Sequence, residues 1–193
     1  MILPIVRYGD PILRKKGAPV GPLSEDHQRL ITDMIETMRH AKGIGLAAQQ
    51  IGRALQLAIV DITGTEKRPS KMWINNQEVD PLPYMPLILI DPILDPIKKK
   101  YTEGEGCLSF PDVYGEIPRA SRIRVQTRTL DAGTLTFDAA GLLGRAIQHE
   151  FDHLQGILFI DRMDPAERKK YRPILDALRE GTYVPQPDQD DES

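Results

Sequence analysis

The chain has 193 residues, of which 40% are hydrophobic and 27% charged, a composition typical of one globular domain with a buried core. Its 25 basic and 28 acidic residues give a formal net charge of -3, so no overall positive field favours nucleic acid. The single cysteine, Cys107, excludes an intrachain disulfide, and the sequence shows neither a signal peptide nor an apolar run long enough for a bilayer.

The first predicted element is a helix over residues 24–42. Its apolar residues recur along one helical face, Ser24 is a suitable N-cap, and Gly43 is a typical stop residue. The alternating, β-branched segment 55–62 then predicts a strand.

The next segment, 64–86, contains four prolines and predicts a long surface excursion with a hairpin around Asn75-Asn76. Two short strands, 87–90 and 93–99, are expected on either side of Asp91-Pro92. No strand is predicted between residues 100 and 121.

The C-terminal half combines strands and helices. Residues 122–128 predict a strand, 135–137 its partner after a turn, and 139–154 a second helix. A third helix is expected from Asp164-Pro165, with a kink or a later start at Pro173. Many strands without regular β–α alternation indicate an α+β fold. Residues 1–184 are expected to form one domain, and the acidic segment 185–193 a disordered tail.

The strongest chemical signal is the run from His149 to His153 in the second predicted helix. Two histidines four residues apart project from the same helical face and can bind one metal ion. Glu150, beside the first histidine, is suitably placed to take a proton from water. A surface helix with incidental His and Glu residues is the competing interpretation of this motif alone.

A catalytic metal centre needs a third protein ligand and an open position. The extended zincin pattern fails, because Phe159 occupies its third-ligand position. A downstream glutamate, Glu167 or Glu180, is one candidate for the third ligand. Cys107 is the other, since a thiolate suits a borderline divalent metal.

Two further segments are rich in small residues. Cys107 follows Gly104 and Gly106, which suits close approach to the backbone, although a buried structural cysteine is the alternative. Residues 43–52 also permit close approach of a ligand. They are not a dinucleotide-binding fingerprint, because Ala48 stands where the third glycine is needed. The alternative interpretation of these residues is a compact connection between a helix and a strand.

Together these three segments resemble the peptide deformylase family. That family carries GxGLAAxQ, EGCLS and QHExDH in this order, and they stand here at 43–50, 105–109 and 148–153. The resemblance implies antiparallel or mixed sheets packed around a central metal-binding helix, in one catalytic domain. It also implies removal of the formyl group from the N-terminal formylmethionine of new polypeptides.

The resemblance implies a role for each matching residue. One Fe2+ per chain, replaceable by Zn2+, Ni2+ or Co2+, would bind Cys107, His149 and His153. Glu150 would be the general base and then the acid. The oxyanion would be held by the Gln50 side chain and the Leu108 backbone N–H. The remaining substrate-site residues would be Ile44 and Gly45 at the substrate, Leu142 and Ala146 in the methionine pocket, and the pair Glu105 and Arg119.

The family pattern also sets expectations for partners. Nascent N-formylmethionyl polypeptides in the cytoplasm are the expected substrates, with no DNA or membrane partner. The acidic tail lacks the basic C-terminal helix associated with ribosome binding in some members, so docking near the exit tunnel stays open. Arg145 stands where some members carry an apolar residue. A zinc endopeptidase using HExxH is the alternative enzyme, and a regulatory protein with a closed structural metal site is the alternative non-enzyme.

Overall fold

The computed structural model describes residues 1–185, which contain four α-helices, nine strands and short 3-10 turns. The helices are α1 Glu25–His40, α2 Gly141–Leu154, α3 Pro165–Lys170 and α4 Arg172–Glu180. The strands are β1 Gly45–Ala47, β2 Leu57–Val60, β3 Ser70–Ile74, β4 Gln77–Val79, β5 Leu87–Pro96, β6 Lys100–Cys107, β7 Phe110–Ala120, β8 Arg122–Arg128 and β9 Thr134–Ala140.

Seven strands form one sheet in the order β1-β2-β5-β8-β9-β3-β4, and β6 pairs only with β7 in a second sheet. Every strand pairing within the described residues is antiparallel. The α+β prediction is therefore confirmed, and of the two kinds of sheet that the resemblance implies, antiparallel and mixed, the structure has the antiparallel kind. This arrangement leaves the β6–β7 hairpin outside the main sheet. Backbone bonds from Ile97 to Arg122 and from Ser121 to Lys99 join its base to β5 and β8, and packing and side-chain bonds place the rest of it.

Helix α2 lies at the centre of the molecule. Leu142, Leu143, Ala146 and Ile147 pack with buried side chains of the large sheet, and most of the helix is buried. The helix begins at Gly141 rather than at the predicted residue 139, because β9 continues through residue 140. Gly141 has a φ of +66°, and a Cβ there would lie 2.1 Å from the carbonyl oxygen of Pro69, so only glycine fits this junction.

The prediction for 64–86 is confirmed in part. Asn75 and Asn76 both have positive φ and form the turn of the β3–β4 hairpin, as predicted. The segment lies largely at the surface, as predicted, but it is not separate from the fold, because β3 pairs with β9 and Met72 is fully buried. The two short strands expected around Asp91 are one strand, β5, with a register shift between Ile90 and Ile93.

The hairpin of β6 and β7 is the element that the sequence analysis missed, although Cys107 belongs to it. The predicted break in the C-terminal helix is confirmed, because α4 starts afresh just before Pro173. The predicted tail lies, apart from Pro185, outside the described residues, and the single-domain boundary stays a prediction. In the described part of the chain, no helix combines the length and hydropathy needed to cross a membrane.

Candidate metal centre

The structure brings Cys107 from the end of β6 to His149 and His153 on α2. One donor atom from each residue lies within 4.8 Å of the others, and Cys107 Sγ is 3.3 Å from His153 Nε2. Among residues 1–185 no other group of three potential ligands meets in this way. Glu167, a predicted alternative ligand, instead accepts a hydrogen bond from the backbone N–H of Glu116.

Glu105 holds the ring of His149. The His149 Nδ1–H donates to Glu105 Oε2 at 2.9 Å, which leaves Nε2 as the ring nitrogen available to a metal. Burial acts to raise the pKa of Glu105, but hydrogen bonds from Arg119 and His149 outweigh it and hold that pKa well below its usual range. Glu105 is therefore a fixed negative charge behind the donor cluster.

The carboxyl of Glu150 lies beside the cluster and is 4% exposed. Burial raises its pKa to about 7, so it can accept and return a proton near neutral pH. Its Oε2 atom is buried and has no hydrogen-bond partner among the described residues. An unpaired carboxylate oxygen at this place is typical of a group that works on a bound molecule rather than on the fold.

Gly45 makes room for this carboxylate. A Cβ built on Gly45 would lie 2.2 Å from Glu150 Oε1, far inside van der Waals contact. From the sequence, the small residues of 43–52 are expected to permit close approach of a ligand. The structure adds a second reason, which is the close packing of Glu150 against the backbone of β1.

Gln50 is buried with its amide in a fixed orientation. Its Oε1 accepts from the backbone N–H of Ala47 at 2.9 Å, and its Nε2 lies 3.3 Å from Ser109 Oγ and 3.5 Å from Cys107 Sγ. The amide N–H groups therefore point toward the donor cluster. Ser109, which belongs to the EGCLS segment, was not predicted as a site residue and is revealed by this contact with Gln50.

A cavity of about 500 Å³ lies over the cluster. Its lining includes ten of the twelve residues to which the family resemblance gave a role, which are Ile44, Gly45, Gln50, Glu105, Cys107, Leu108, Leu142, Ala146, His149 and Glu150. His153 and Arg119 do not line it. Arg119 is 3% exposed and lies behind Glu105.

Behind the cluster is a buried ion network that the sequence analysis recognised only in the pair Glu105 and Arg119. Arg119 also donates to Asp152 on α2, and Arg162 donates to the same carboxylate at 2.5 and 2.6 Å. Arg145 donates to Glu105 at 2.9 Å. The sequence does contain one indication that Arg145 belongs to this network. It stands four residues before His149, and residues with that spacing share a helical face.

These features define a class of protein. A helix with two histidines four residues apart, a sulfur donor from another element, a carboxyl beside them and a cavity above are the parts of a metal-dependent hydrolase.

Known proteins specify the family. A family model described as polypeptide deformylase matches residues 2–169. A peptide deformylase of Methylacidiphilum infernorum is 44% identical over 184 residues, which are 95% of this chain and 96% of the relative. One of Opitutus terrae is 43% identical over 180 residues, or 92% of this chain and 91% of the relative. The chain therefore belongs to the peptide deformylase family.

Solved structures agree with this assignment. The peptide deformylase of Thermus thermophilus superposes with a TM-score of 0.77 at 33% identity, covering 94% of this chain and 99% of that one. The enzyme of Plasmodium falciparum gives a TM-score of 0.77 at 32% identity, covering 92% and 95%. The fold shared with these enzymes confirms the α+β architecture around α2.

Gly45→Ala tests the packing of Glu150. We expect formate release from a formyl-Met peptide to fall at least about tenfold, because the new methyl group displaces the Glu150 carboxylate. Gly104→Ala is the matched control, since the nearest atom to its added Cβ is 3.6 Å away. Equal activity in both variants, measured at equal metal content, would show that Glu150 does not need this contact.

Proposed function

We propose that this chain hydrolyses the formamide bond of N-formylmethionine at the start of new polypeptides and releases formate. The observation that carries the proposal is the meeting of Cys107, His149 and His153 beside the partner-free carboxylate of Glu150. The endopeptidase alternative is not supported, because the glutamates it requires lie outside this cluster. A closed structural site is disfavoured by the cavity above the donors.

Cys107, His149 and His153 would hold one metal ion. The fit is supported by the separation of the donor atoms and by the bond from His149 Nδ1 to Glu105, which leaves Nε2 available. A bound divalent ion lowers the pKa of water and polarises a carbonyl. One sulfur and two nitrogens are donors that suit Fe2+, Zn2+, Co2+ and Ni2+.

In the hydrolysis, Glu150, Gln50 and Leu108 have different roles. Glu150 accepts a proton from the attacking water, whose oxygen adds to the formyl carbon. Gln50 Nε2 and the Leu108 backbone N–H donate to the formyl oxygen as its negative charge grows, and one such donor is typically worth about 3 kcal/mol. Glu150 passes its proton to the amine nitrogen as the C–N bond breaks. Formate and a peptide with a free N-terminal methionine leave.

Recognition of the methionine is assigned to the apolar part of the cavity. Leu142 and Ala146 lie on one face of α2, 4% and 5% exposed, and Ile44 packs against the same core cluster. An unbranched thioether side chain can bury its apolar surface there. Ile44 precedes β1 and Gly45 is its first residue, and both line the cavity, where their backbone can contact an extended substrate.

Formate release from a short formyl-Met peptide tests the reaction. We expect anaerobically prepared protein to release formate, and Glu150→Gln to lose activity by about 100-fold or more while keeping its metal, because the proton acceptor is gone. Cys107→Ala should lose both metal and activity. An active Glu150→Gln variant would refute the assigned base. Cleavage of unformylated peptides without formate release would revive the endopeptidase alternative.

We infer that Fe2+ is the resident metal, supported by the thiolate and imidazole donors and by the family resemblance. An Fe2+ ion next to a thiolate is open to oxidation by air, whereas Ni2+ is not oxidised under the same conditions. The iron-loaded protein should therefore lose formate release on exposure to air while the nickel-loaded protein keeps it. Equal survival of the two forms in a timed activity assay would argue against iron.

We also propose that the chain acts in the cytoplasm and docks on the ribosome. The support is a basic surface built from two segments, 14–16 and 168–170, which meet where Arg14 and Arg168 both form ion pairs with Asp161. Its members are Arg14, Lys15, Lys16, Arg168, Lys169 and Lys170. Cations grouped in this way can bind the phosphates of ribosomal RNA.

Co-sedimentation with ribosomes tests this surface. The double change Lys169→Glu and Lys170→Glu should weaken binding, and added salt should weaken that of the wild type, because phosphate contacts release counterions. Lys98→Glu with Lys99→Glu is the matched control, since these lysines are exposed on the turn between β5 and β6. Undiminished sedimentation of the first variant would refute docking through the basic surface.

A further inference from the structure

The three donors of the candidate metal centre belong to two parts of the fold, the β6–β7 hairpin and the helix α2. Cys107 ends β6 in the two-stranded sheet, whereas both histidines lie on α2, which packs on the seven-stranded sheet. The separation between the sulfur and the ring nitrogens therefore depends on how the β6–β7 hairpin sits against α2. At its base the hairpin is joined to β5 and β8 by backbone bonds from Ile97 N–H to the Arg122 carbonyl and from Ser121 N–H to the Lys99 carbonyl. Away from that base, the side chains that cross the boundary between the hairpin and α2 hold it in place.

Arg145 is the side chain with most bonds across the boundary. It is 2% exposed, and from α2 it donates to the carbonyl of Ile117 on β7 at 2.7 Å and to that of Tyr101 on β6 at 3.1 Å. Its guanidinium also lies 4.6 Å from the centre of the Tyr101 ring. A single side chain on the metal-binding helix thus reaches both strands of the hairpin.

The same guanidinium completes the bonding of Glu105. Arg119 donates to both carboxylate oxygens at 2.8 and 2.9 Å, and His149 donates to Oε2 at 2.9 Å. The fourth bond, to Oε1, comes from Arg145 Nη1 at 2.9 Å. With two bonds on each oxygen, the carboxylate has one orientation, and so has the ring of His149 that it holds.

Arg145 and Arg119 cross the boundary in opposite directions. Arg119 starts on β7 and reaches Asp152 on α2, whereas Arg145 starts on α2 and reaches the hairpin. Arg145 is also one helical turn before His149, so its anchor and the ligand share a face. Loss of Arg145 would leave one bond of Glu105 unmade and free one side of the hairpin.

We propose that Arg145 is a positioning residue for the metal centre. It fixes the β6–β7 hairpin against α2 and so keeps the sulfur of Cys107 at the distance from His149 and His153 that metal binding requires. This inference rests on the proposed metal centre. It assigns to Arg145 a role in how tightly and in what geometry the metal is held.

Cobalt-loaded protein tests the proposal, because a Co2+–thiolate bond gives a near-ultraviolet charge-transfer band that reports on Cys107. We expect Arg145→Met to weaken this band and to release Co2+ to a chelator roughly 10–100-fold faster than wild type. Arg145→Lys keeps a charged donor but loses the planar guanidinium, so its band and its release rate should lie between those of wild type and Arg145→Met. All rates are measured well below the melting temperature of each variant.

Arg122→Met is the matched control. It removes a guanidinium whose side-chain bonds go to Asp138 on β9, at 2.8 Å, and not to the hairpin, so it should lower the melting temperature and leave both cobalt signals unchanged. A wild-type band and release rate in Arg145→Met, with only a lower melting temperature, would overturn the proposal. If that variant does not fold, a wild-type release rate in Arg145→Lys overturns it. A wild type without the band would instead refute the metal centre itself.

Discussion

The burial of opposite charges between α2 and the β6–β7 hairpin is the constraint on which the rest of the site depends. Glu105 and Asp152 are both buried, and Arg119 bonds to each of them. A buried ion that loses its partner typically costs about 3–5 kcal/mol, a large part of the stability of a small domain. These pairs therefore permit one arrangement of helix and hairpin. The donor cluster, the fixed ring of His149 and the cavity all follow from that arrangement.

The residues that carry the chemistry of the site were more predictable from the sequence than the contacts that hold them in position. The spacing of His149 and His153 determines their common face on a helix, and the motif order pointed to Cys107 although spacing alone left a glutamate open. The contact of Gly45 with Glu150 joins residues that are far apart in the chain, and no local pattern encodes it. The same holds for Arg145, whose bonds to the hairpin exist only in the folded chain.

The fold likewise has elements that local sequence patterns predict and elements that they do not. Helix α1 and strand β8 lie where local periodicity predicts them, because each has one buried and one exposed face. The β6–β7 hairpin escaped prediction because its glycines and prolines lower the local preference for strand. Its 11-residue second strand is stabilised by the pairing itself and by the packing of Phe110 and Ile117 in a second core cluster, which includes Phe159. Tertiary packing overrides weak propensity there.

The separation of the donors along the chain has a consequence for the choice of metal. The two histidines are local neighbours on one helix, and imidazole pairs of this kind bind several first-row ions with little discrimination. The sulfur comes from a residue 46 positions before His153 and reaches the helix only when the hairpin closes onto it. The soft sulfur donor of this site is therefore supplied only by the tertiary structure. A chain with a native helix and a detached hairpin would still present a nitrogen pair, and only the docked hairpin adds the donor that separates soft ions from hard ones.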